Sequence, residues 1–460
     1  MENKKRVKQL GLNTLVFAIG MVGSKGIQFL LIPFLTKYLS TSEYGTVDFY
    51  ITVVSLLVPV ISVSIYDSVL RYASDLQEDN RVILSSSIYF LKRISIIVII
   101  MAIILSAIFH QIIVLLVALN IIFLFFNSTF SQYVKARNKN ILFSIQSLVL
   151  SSLNLITILI ILPRIDWKIS GYFFCQILSL VIVDGILYWS VYKDISKNLV
   201  NTDVLKRLIR YGIPLIPNQL MWWLMNASNR FVIIFFLGAS ANGLFAVANK
   251  VPTLIGIFTN VFIQAWQVND FQNGNTTKSN EFFSKVMNLF LTLLVLGSTG
   301  VIIFSEKIIK LVANVKFIDA WKLVPILMLA LFFSNISIFL GTKYLTNMNT
   351  KKLFSTSVIG GVLNIILNVV LIPQIGINGA AISMVLSYIV VCIIRFVDIN
   401  RESKIEISFF FIISSIALLV LISFFVINNY EIYFIIISLI GFILLNIKSI
   451  VLSNIKLMKG

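Results

Sequence analysis

The sequence predicts an all-α integral membrane protein with about 14 transmembrane helices, organised as two pseudo-symmetric six-helix bundles plus two peripheral C-terminal helices. The first observation behind this prediction is composition. Of the 460 residues, 58% are hydrophobic and 12% are charged, which is far more apolar than a soluble globular domain. The second observation is that the apolar residues form a series of long stretches, and the third is that the second half of this series repeats the first.

Each apolar stretch is long enough to cross a bilayer, because a helix that rises about 1.5 Å per residue needs about 20 residues to span about 30 Å of hydrocarbon. The predicted spans are 12–38, 45–70, 82–109, 112–134, 141–162, 169–192, 211–237, 243–267, 281–304, 320–345, 353–373, 376–397, 405–427 and 431–453. The connections between them are too short for an extramembrane domain. Any chemistry is therefore expected within the helices.

Short motifs of the first half recur in the second half with small gaps in register. Leu142-Phe143-Ser144, Leu153-Asn154, Pro163 and Gly171 recur as Leu353-Phe354-Ser355, Leu363-Asn364, Pro373 and Gly379. Many carriers use duplicated helical halves to build one site that can face either side of a membrane. The repeat therefore predicts a transporter, with one bundle in 1–200, a second in 201–400, and two additional helices with a cytoplasmic tail in 401–460.

The net charge of +18 could indicate nucleic-acid binding or membrane topology. The positions of the cations along the chain decide between these two explanations. With the N-terminus in the cytoplasm, most of the 37 Lys and Arg residues fall on the cytoplasmic side of the predicted spans, as the positive-inside rule requires. Both termini are therefore expected in the cytoplasm. Topology and contact with anionic membrane lipid explain the charge, and no nucleic-acid partner is predicted.

Four spans carry polar side chains at helical spacing, which is expected of helices that line a water-filled cavity rather than lipid. These are the first, second, seventh and eighth spans, which are corresponding pairs in the two repeats. Their faces include Thr14, Lys25 and Gln28; Asp48, Thr52, Ser55 and Tyr66; Gln219, Trp222, Asn226 and Arg230; and Lys250, Thr253, Asn260 and Gln264.

Lys25 lies in the middle of the first span, where a cation costs about 2.5 to 3.5 kcal/mol on an insertion scale. One interpretation is that its ammonium meets an anionic substrate in a water-filled cavity. The alternative is a structural ion pair with a buried acid such as Asp67 or Asp184. We favour the first interpretation because several glycines of the same span leave room beside Lys25.

Three further cations extend this set across the membrane. Arg230 and Lys250 lie in the outer halves of their spans, although such long side chains could instead snorkel to the interface. Arg71, at the cytoplasmic end of the second span, could contact a substrate or act as a positive-inside anchor. Together with Lys25 these residues form a graded series along which a phosphate-bearing head group could move.

Acidic residues inside the spans are candidates for coupling transport to Na⁺ or H⁺. Asp184 lies mid-span, whereas Asp67 lies one helical turn before Arg71 and could be its local partner instead.

The sequence contains no phosphate loop for ATP, and its single histidine, His110, supports no catalytic dyad or metal cluster. We therefore predict no cofactor, no metal and no enzymatic activity.

Several short motifs occur in a characteristic order along the spans. They are Gly23-Ser24-Lys25-Gly26, Leu31-Ile32-Pro33-Phe34, Glu43-Tyr44-Gly45, Leu70-Arg71-Tyr72, Val134-Lys135-Ala136-Arg137, Asn229-Arg230 and Ala248-Asn249-Lys250-Val251-Pro252. In this order they resemble the Wzx-type polysaccharide flippases, the O-antigen and capsule exporters of the multidrug/oligosaccharidyl-lipid/polysaccharide (MOP) superfamily. Asn229 departs from the acid of many relatives, and the second span lacks the arginines found in peptidoglycan-precursor flippases.

The resemblance implies a flippase for undecaprenyl-pyrophosphate-linked oligosaccharide in the bacterial inner membrane, acting in lipopolysaccharide or capsule synthesis beside a polysaccharide polymerase and a chain-length regulator. Lys25, Arg230 and Lys250 would neutralise the pyrophosphate. The sugar would bind to the Asn and Gln side chains, namely Gln28, Asn226, Asn260 and Gln264. Two alternatives are a cation-coupled drug exporter of the same superfamily, which would prefer acids in its cavity, and a membrane polysaccharide polymerase, which should expose an outer catalytic loop.

Overall fold

The computed structural model describes residues 20, 22–74, 79–273, 277–347, 349–403, 409–428, 430 and 433–445. Every regular element in this part of the chain is a helix, so the predicted all-α fold is confirmed. The helices are α1 (22–38), α2 (Thr41–Ile61), α3 (Ile65–Ala73), α4 (Asn80–Phe109), α5 (Ile112–Ala136), α6 (Asn140–Ile161), α7 (Lys168–Val191), α8 (Thr202–Gly212), α9 (Leu215–Ala227), α10 (Asn229–Leu237), α11 (Ala239–Asn273), α12 (Thr277–Ile303), α13 (Ser305–Val312), α14 (Val324–Thr346), α15 (Thr350–Ile375), α16 (Ile377–Ser403), α17 (Phe409–Ile427) and α18 (Tyr433–Leu445).

Eleven helical segments in the described ranges are long and apolar enough to cross a membrane, so the chain is a multi-pass membrane protein. They correspond to predicted spans two to six and eight to thirteen. The first and last predicted spans are described only in part, as α1 and α18, and the seventh is divided into shorter helices. These three spans account for the difference from the predicted number of about 14.

The second predicted span, 45–70, is not one continuous helix as the sequence suggested. It divides into α2 and α3 because Val63 and Ser64 adopt left-handed backbone conformations, with φ values of 54° and 48°. This conformation is unfavourable for a β-branched residue, so the surrounding packing must hold it. Pro59 weakens α2 just before the break, and its carbonyl accepts the Ser64 amide at 2.9 Å.

The seventh predicted span, 211–237, is interrupted as well. A turn containing Pro214 separates α8 from α9, and Ser228 separates α9 from α10. At the end of α8, a Cβ on Gly212 would lie 2.1 Å from the carbonyl oxygen of Val63. Only glycine therefore allows α8 to cross the α2–α3 connection at this distance. The close crossing fixes where α9 begins.

Contacts divide the chain into two compact units, Met1–Trp223 and Leu224–Gly460. In the first unit α5 is central, because it packs against α2, α3, α4, α6 and α7. Phe125 and Tyr133 of α5 are fully buried in a core that also contains Phe173 and Leu187 of α7. The boundary predicted at 200/201 separates the two copies of the sequence repeat and is not defined by contacts. It stays a prediction.

In the second unit α14 is central, and it packs against α11, α12, α15, α16 and α17. Its Phe339 stacks on Trp266 of α11 with the ring centroids 5.5 Å apart and on Phe290 of α12 at 5.2 Å. Stacked aromatic rings contribute to stability beyond the apolar area that they bury. Trp266 therefore belongs to this core, with 5% of its surface exposed, and is not available to stack on a substrate.

One tyrosine of the internal repeat makes the same kind of contact in both units. Tyr133 and Tyr344 precede the matched residues Leu142 and Leu353 by the same number of positions. The Tyr133 hydroxyl donates to Asp194 at 3.0 Å, and the Tyr344 hydroxyl donates to Asp398 at 2.8 Å. In the first unit this bond ties the end of α5 to the short 3-10 helix that follows α7, and in the second unit it ties the end of α14 to α16.

Candidate functional site

The first unit contains a cavity of about 310 Å³ with both polar and apolar lining residues, next to the break between α2 and α3. We call it the Trp223 pocket, because the Trp223 indole lines it and donates to the Thr52 carbonyl at 3.0 Å and to Ser55 Oγ at 3.2 Å. The other polar residues of its lining are Ser55, Tyr66, Asn120, Ser128, Gln176 and Gln219. Helices α2, α3, α5, α7 and α9 contribute these side chains.

A second cavity of about 470 Å³ lies on the other side of Gln219 and holds the predicted residue Arg71. We call it the Arg71 pocket; its lining is Asp67, Leu70, Arg71, Ser74, Tyr211, Leu215 and Gln219. Asp67 does not form the predicted local pair with Arg71. Its carboxylate instead accepts from Gln219 Nε2 of α9 at 2.8 Å. Arg71 remains exposed and available to an anion.

Lys25 and Gln28 lie side by side on α1, and both are exposed. Lys25 Nζ donates to Gln28 Oε1 at 3.3 Å. An ammonium has three donors, and this is the one bond that Lys25 makes within the described ranges. The two acids considered as its partners are engaged elsewhere, Asp67 with Gln219 and Asp184 with Asn127. The sealed ion pair considered as an alternative for Lys25 is therefore not formed with either of them.

Asp184 is buried mid-helix on α7, with 7% of its surface exposed. Asn127 Nδ2 donates to Asp184 Oδ1 at 2.8 Å, while Asp184 Oδ2 has no hydrogen-bond partner in the described part of the protein. A buried carboxylate oxygen without a partner can take up a proton or a small cation. The geometry is therefore compatible with the ion-coupling role predicted for Asp184. The described residues contain no cluster of three or more side chains suited to a metal ion.

The remaining predicted site residues lie in the second unit or at its border. Arg230 on α10 and Lys250 on α11 are half-buried, and Asn260 on α11 is exposed. Both cations have at least one interaction with other residues. The side chains of Asn226 and Gln264 lie outside the described part of the structure.

Asn229 is fully buried in the second unit. It accepts a hydrogen bond from Asn368 Nδ2, which also donates to Asn364 Oδ1 at 2.9 Å. Ser228 adds a hydroxyl bond of 3.5 Å to the same Asn364 oxygen. Four neutral polar side chains therefore connect α10 and its cap to α15, and none of these four can carry a negative charge.

The sequence reasoning missed a buried arginine, Arg395 on α16, which is 4% exposed. Its guanidinium donates to Ser337 of α14 at 2.7 Å and, at about 3 Å, to Thr356 and Ser357 of α15. Gly341 makes room for it, because a Cβ there would lie 3.0 Å from Arg395 Nη1. The donors of this arginine are thus shared between two neighbouring helices, and these acceptors on Ser337, Thr356 and Ser357 are all neutral. Arg395 therefore has a structural role.

Residues 10–267 match the family model described as polysaccharide biosynthesis protein, which is more than half of the chain. The chain belongs to this family. No curated protein matches this polysaccharide biosynthesis family member in sequence. The match covers the first unit and the start of the second, and so includes both pockets.

Solved structures show which fold this family member shares. The lipid II flippase MurJ in an inward closed conformation is 15% identical, with a TM-score of 0.71 over 95% of this chain and 100% of that chain. An inward-facing multidrug resistance MATE family transporter of the MOP superfamily is 13% identical, with a TM-score of 0.66 over 85% and 98%. A MOP superfamily transporter from Pyrococcus furiosus with a binding pocket of reversed polarity is 13% identical, with a TM-score of 0.59 over 85% and 95%. The fold is therefore similar to that of MurJ and of the MATE transporters.

Proposed function

We propose that the protein is a flippase that moves undecaprenyl-pyrophosphate-linked oligosaccharide units from the cytoplasmic to the outer leaflet of the bacterial inner membrane by alternating access, for O-antigen, lipopolysaccharide or capsule synthesis. The observation that carries the proposal is membership of the polysaccharide biosynthesis family together with a fold shared with a lipid flippase along almost the whole chain. Both termini lie in the cytoplasm, and the polymerase and the chain-length regulator act on the product.

The physical task is to move charge and hydroxyl groups across hydrocarbon, which is prohibitive without a polar path. Lys25, Arg230 and Lys250 neutralise the pyrophosphate along that path, and Arg71 meets it at the cytoplasmic end. Gln28, Asn226, Asn260 and Gln264 bind the sugar, while the polyprenyl chain remains in the bilayer. No step in this process breaks or forms a covalent bond, so the protein acts as a transporter and not as an enzyme.

A drug exporter of the same superfamily is a less suitable interpretation. The MurJ structure covers 95% of this chain, whereas the MATE transporter covers 85% of it. The exposed and half-buried cations of the candidate site also suit an anionic head group better than a cationic drug.

Removing the protein from cells tests the proposed function. In the depleted cells we expect complete lipid-linked oligosaccharide units to accumulate on the cytoplasmic leaflet, because head groups cannot cross hydrocarbon unaided. Protection of the sugars from a glycosidase added outside spheroplasts measures their location. Complete units that become accessible outside but stay unjoined would contradict the flippase and indicate a polymerase. Re-expression of the intact chain should restore surface polysaccharide.

The ion-coupling role of Asp184 gives a separate prediction. Asp184→Asn keeps the side-chain shape and an oxygen for the Asn127 bond, but it removes the negative charge that binds Na⁺ or H⁺. In proteoliposomes we expect flipping by the variant to lose its acceleration by an imposed ion gradient and to retain the slow rate without a gradient. Asp203→Asn, on the exposed face of α8, is the control. Full acceleration in Asp184→Asn would exclude this carboxylate as the coupling site.

A further inference from the structure

Asn120 is a buried polar side chain in the Trp223 pocket that the function proposed above does not use. It is 1% exposed, and neither its amide nitrogen nor its amide oxygen has a hydrogen-bond partner among the residues that the structure describes. Gln176 Oε1, which lines the same cavity, also lacks a described partner. Leaving such groups unpaired in a dry interior is costly. The cavity is therefore expected to hold water or hydroxyl groups.

The chemistry of the lining indicates what kind of ligand would replace that water. A primary amide offers two donors and an acceptor, which suits neighbouring hydroxyl groups of one molecule. The Trp223 indole adds a flat apolar surface that is already fixed by bonds to α2, and such rings combine an apolar body with a polar edge. The volume of about 310 Å³ is within the range of about 300 to 1,000 Å³ for small-ligand pockets. No charged side chain lines this cavity. A neutral saccharide fits these features.

Gln219 lies between the Trp223 pocket and the Arg71 pocket and lines both. Its Oε1 accepts from the Tyr66 hydroxyl at 2.9 Å, and its Nε2 donates to the Asp67 carboxylate at 2.8 Å. Both ends of the amide are thus held by neighbouring residues of α3. A side chain that lines both cavities and is bonded at both ends is positioned to control passage between them.

We propose that the Trp223 pocket is a saccharide chamber, that the Arg71 pocket is a phosphate-binding vestibule in front of it, and that the Gln219 amide is the latch between them. The assignment of the ligand rests on the flippase function proposed above, whereas the latch does not. A head group reaches the vestibule first, where the exposed Arg71 guanidinium binds its phosphate. Hydroxyl groups that compete for Tyr66 and Asp67 then release Gln219, and the sugar enters the chamber.

Cysteine accessibility tests the latch without requiring transport. In a chain with Cys175→Ala and Cys392→Ala, Ser128→Cys reports on the chamber and Ser74→Cys on the vestibule. A membrane-impermeant anionic methanethiosulfonate is added to sealed inside-out vesicles. We expect the reporter at 128 to react at least tenfold more slowly than the reporter at 74, and Gln219→Ala to remove most of that difference. Tyr66→Phe, which removes one of the two bonds, should have an intermediate effect.

The matched control is Gln146→Ala, which removes a buried glutamine of the same unit outside both cavities and should leave the two rates unchanged. Equal rates at both reporters in the parent chain, or no effect of Gln219→Ala, would overturn the latch. A lipid extract from depleted cells should slow the labelling at 128 in the Gln219→Ala chain, and the same extract freed of sugar by mild acid should not. Protection by both extracts, or by neither, would overturn the saccharide assignment, and transport measured in proteoliposomes decides the flippase function independently.

Discussion

Lys25→Ala should reduce export of lipid-linked units by about 10- to 100-fold, while the protein still inserts and accumulates in the membrane. A hydrogen bond to a charged group contributes about 1.5 to 3 kcal/mol, and about 1.4 kcal/mol corresponds to a tenfold change in rate. The Lys25 ammonium donates to Gln28 alone among the described residues, so its charge and remaining donors are available to a pyrophosphate. Removing it leaves that charge without its partner in the middle of the membrane.

The measurement is surface polysaccharide in cells that depend on the variant, normalised to the amount of membrane-inserted protein. Lys25→Arg keeps the charge and should retain most of the export. Lys37→Ala removes an exposed cation from the other end of α1 and should have little effect. Lys250→Ala is expected to behave like Lys25→Ala. If both alanine variants export normally, the cationic path is wrong.

Arg395→Ala should lower the free energy of unfolding of the second unit by about 3 kcal/mol. The change leaves a cavity and removes the bonds that hold α15 and α14 to α16, and deletion of a large buried side chain costs about 2 to 5 kcal/mol. The charge itself has a desolvation cost that partly offsets this loss. We therefore expect an effect near the lower part of that range.

The purified protein is heated in detergent, and gel filtration then measures the fraction that remains folded at each temperature. Arg401→Ala is the matched control, because Arg401 is on the same helix and is exposed, so its loss should cost less than about 0.5 kcal/mol. Arg395→Lys should fall between the two, since an ammonium cannot reproduce the planar fork of donors. If Arg395→Ala is as stable as the parent protein, the buried hydrogen bonds of Arg395 make no net contribution to the free energy of unfolding.

The sequence predicted the features that depend on hydrophobic length. Hydrocarbon thickness sets the length of a span, so eleven of the predicted spans are found as long apolar helices in the described ranges. The mid-membrane position of Lys25 stays a prediction. The same reasoning gave no role to Arg395, which lies close to the end of predicted span 376–397. Its acceptors are on α14 and α15, and such partners are invisible in a single sequence.

Local spacing also misled the interpretation of Asp67. It lies four positions before Arg71 on α3, a spacing that favours an ion pair on a helix. The left-handed residues Val63 and Ser64 redirect α3, and Asp67 then reaches Gln219, which is 152 positions away in the chain. Pro59 indicated in the sequence where the helix could break, but not the direction in which α3 continues. Asn120 and Gln176 were not predicted as site residues, because they lie on spans four and six and not on the four spans that carry polar side chains at helical spacing.

The tyrosine contacts show what the two halves of the repeat have in common. Tyr133 and Tyr344 lie at the same distance before the matched residues Leu142 and Leu353, but Asp194 follows Leu142 by 52 positions and Asp398 follows Leu353 by 45. Asp194 lies in the short 3-10 helix after α7, whereas Asp398 lies within α16. The two units therefore make the same tyrosine–aspartate bond, although the acceptor occupies a different position in each.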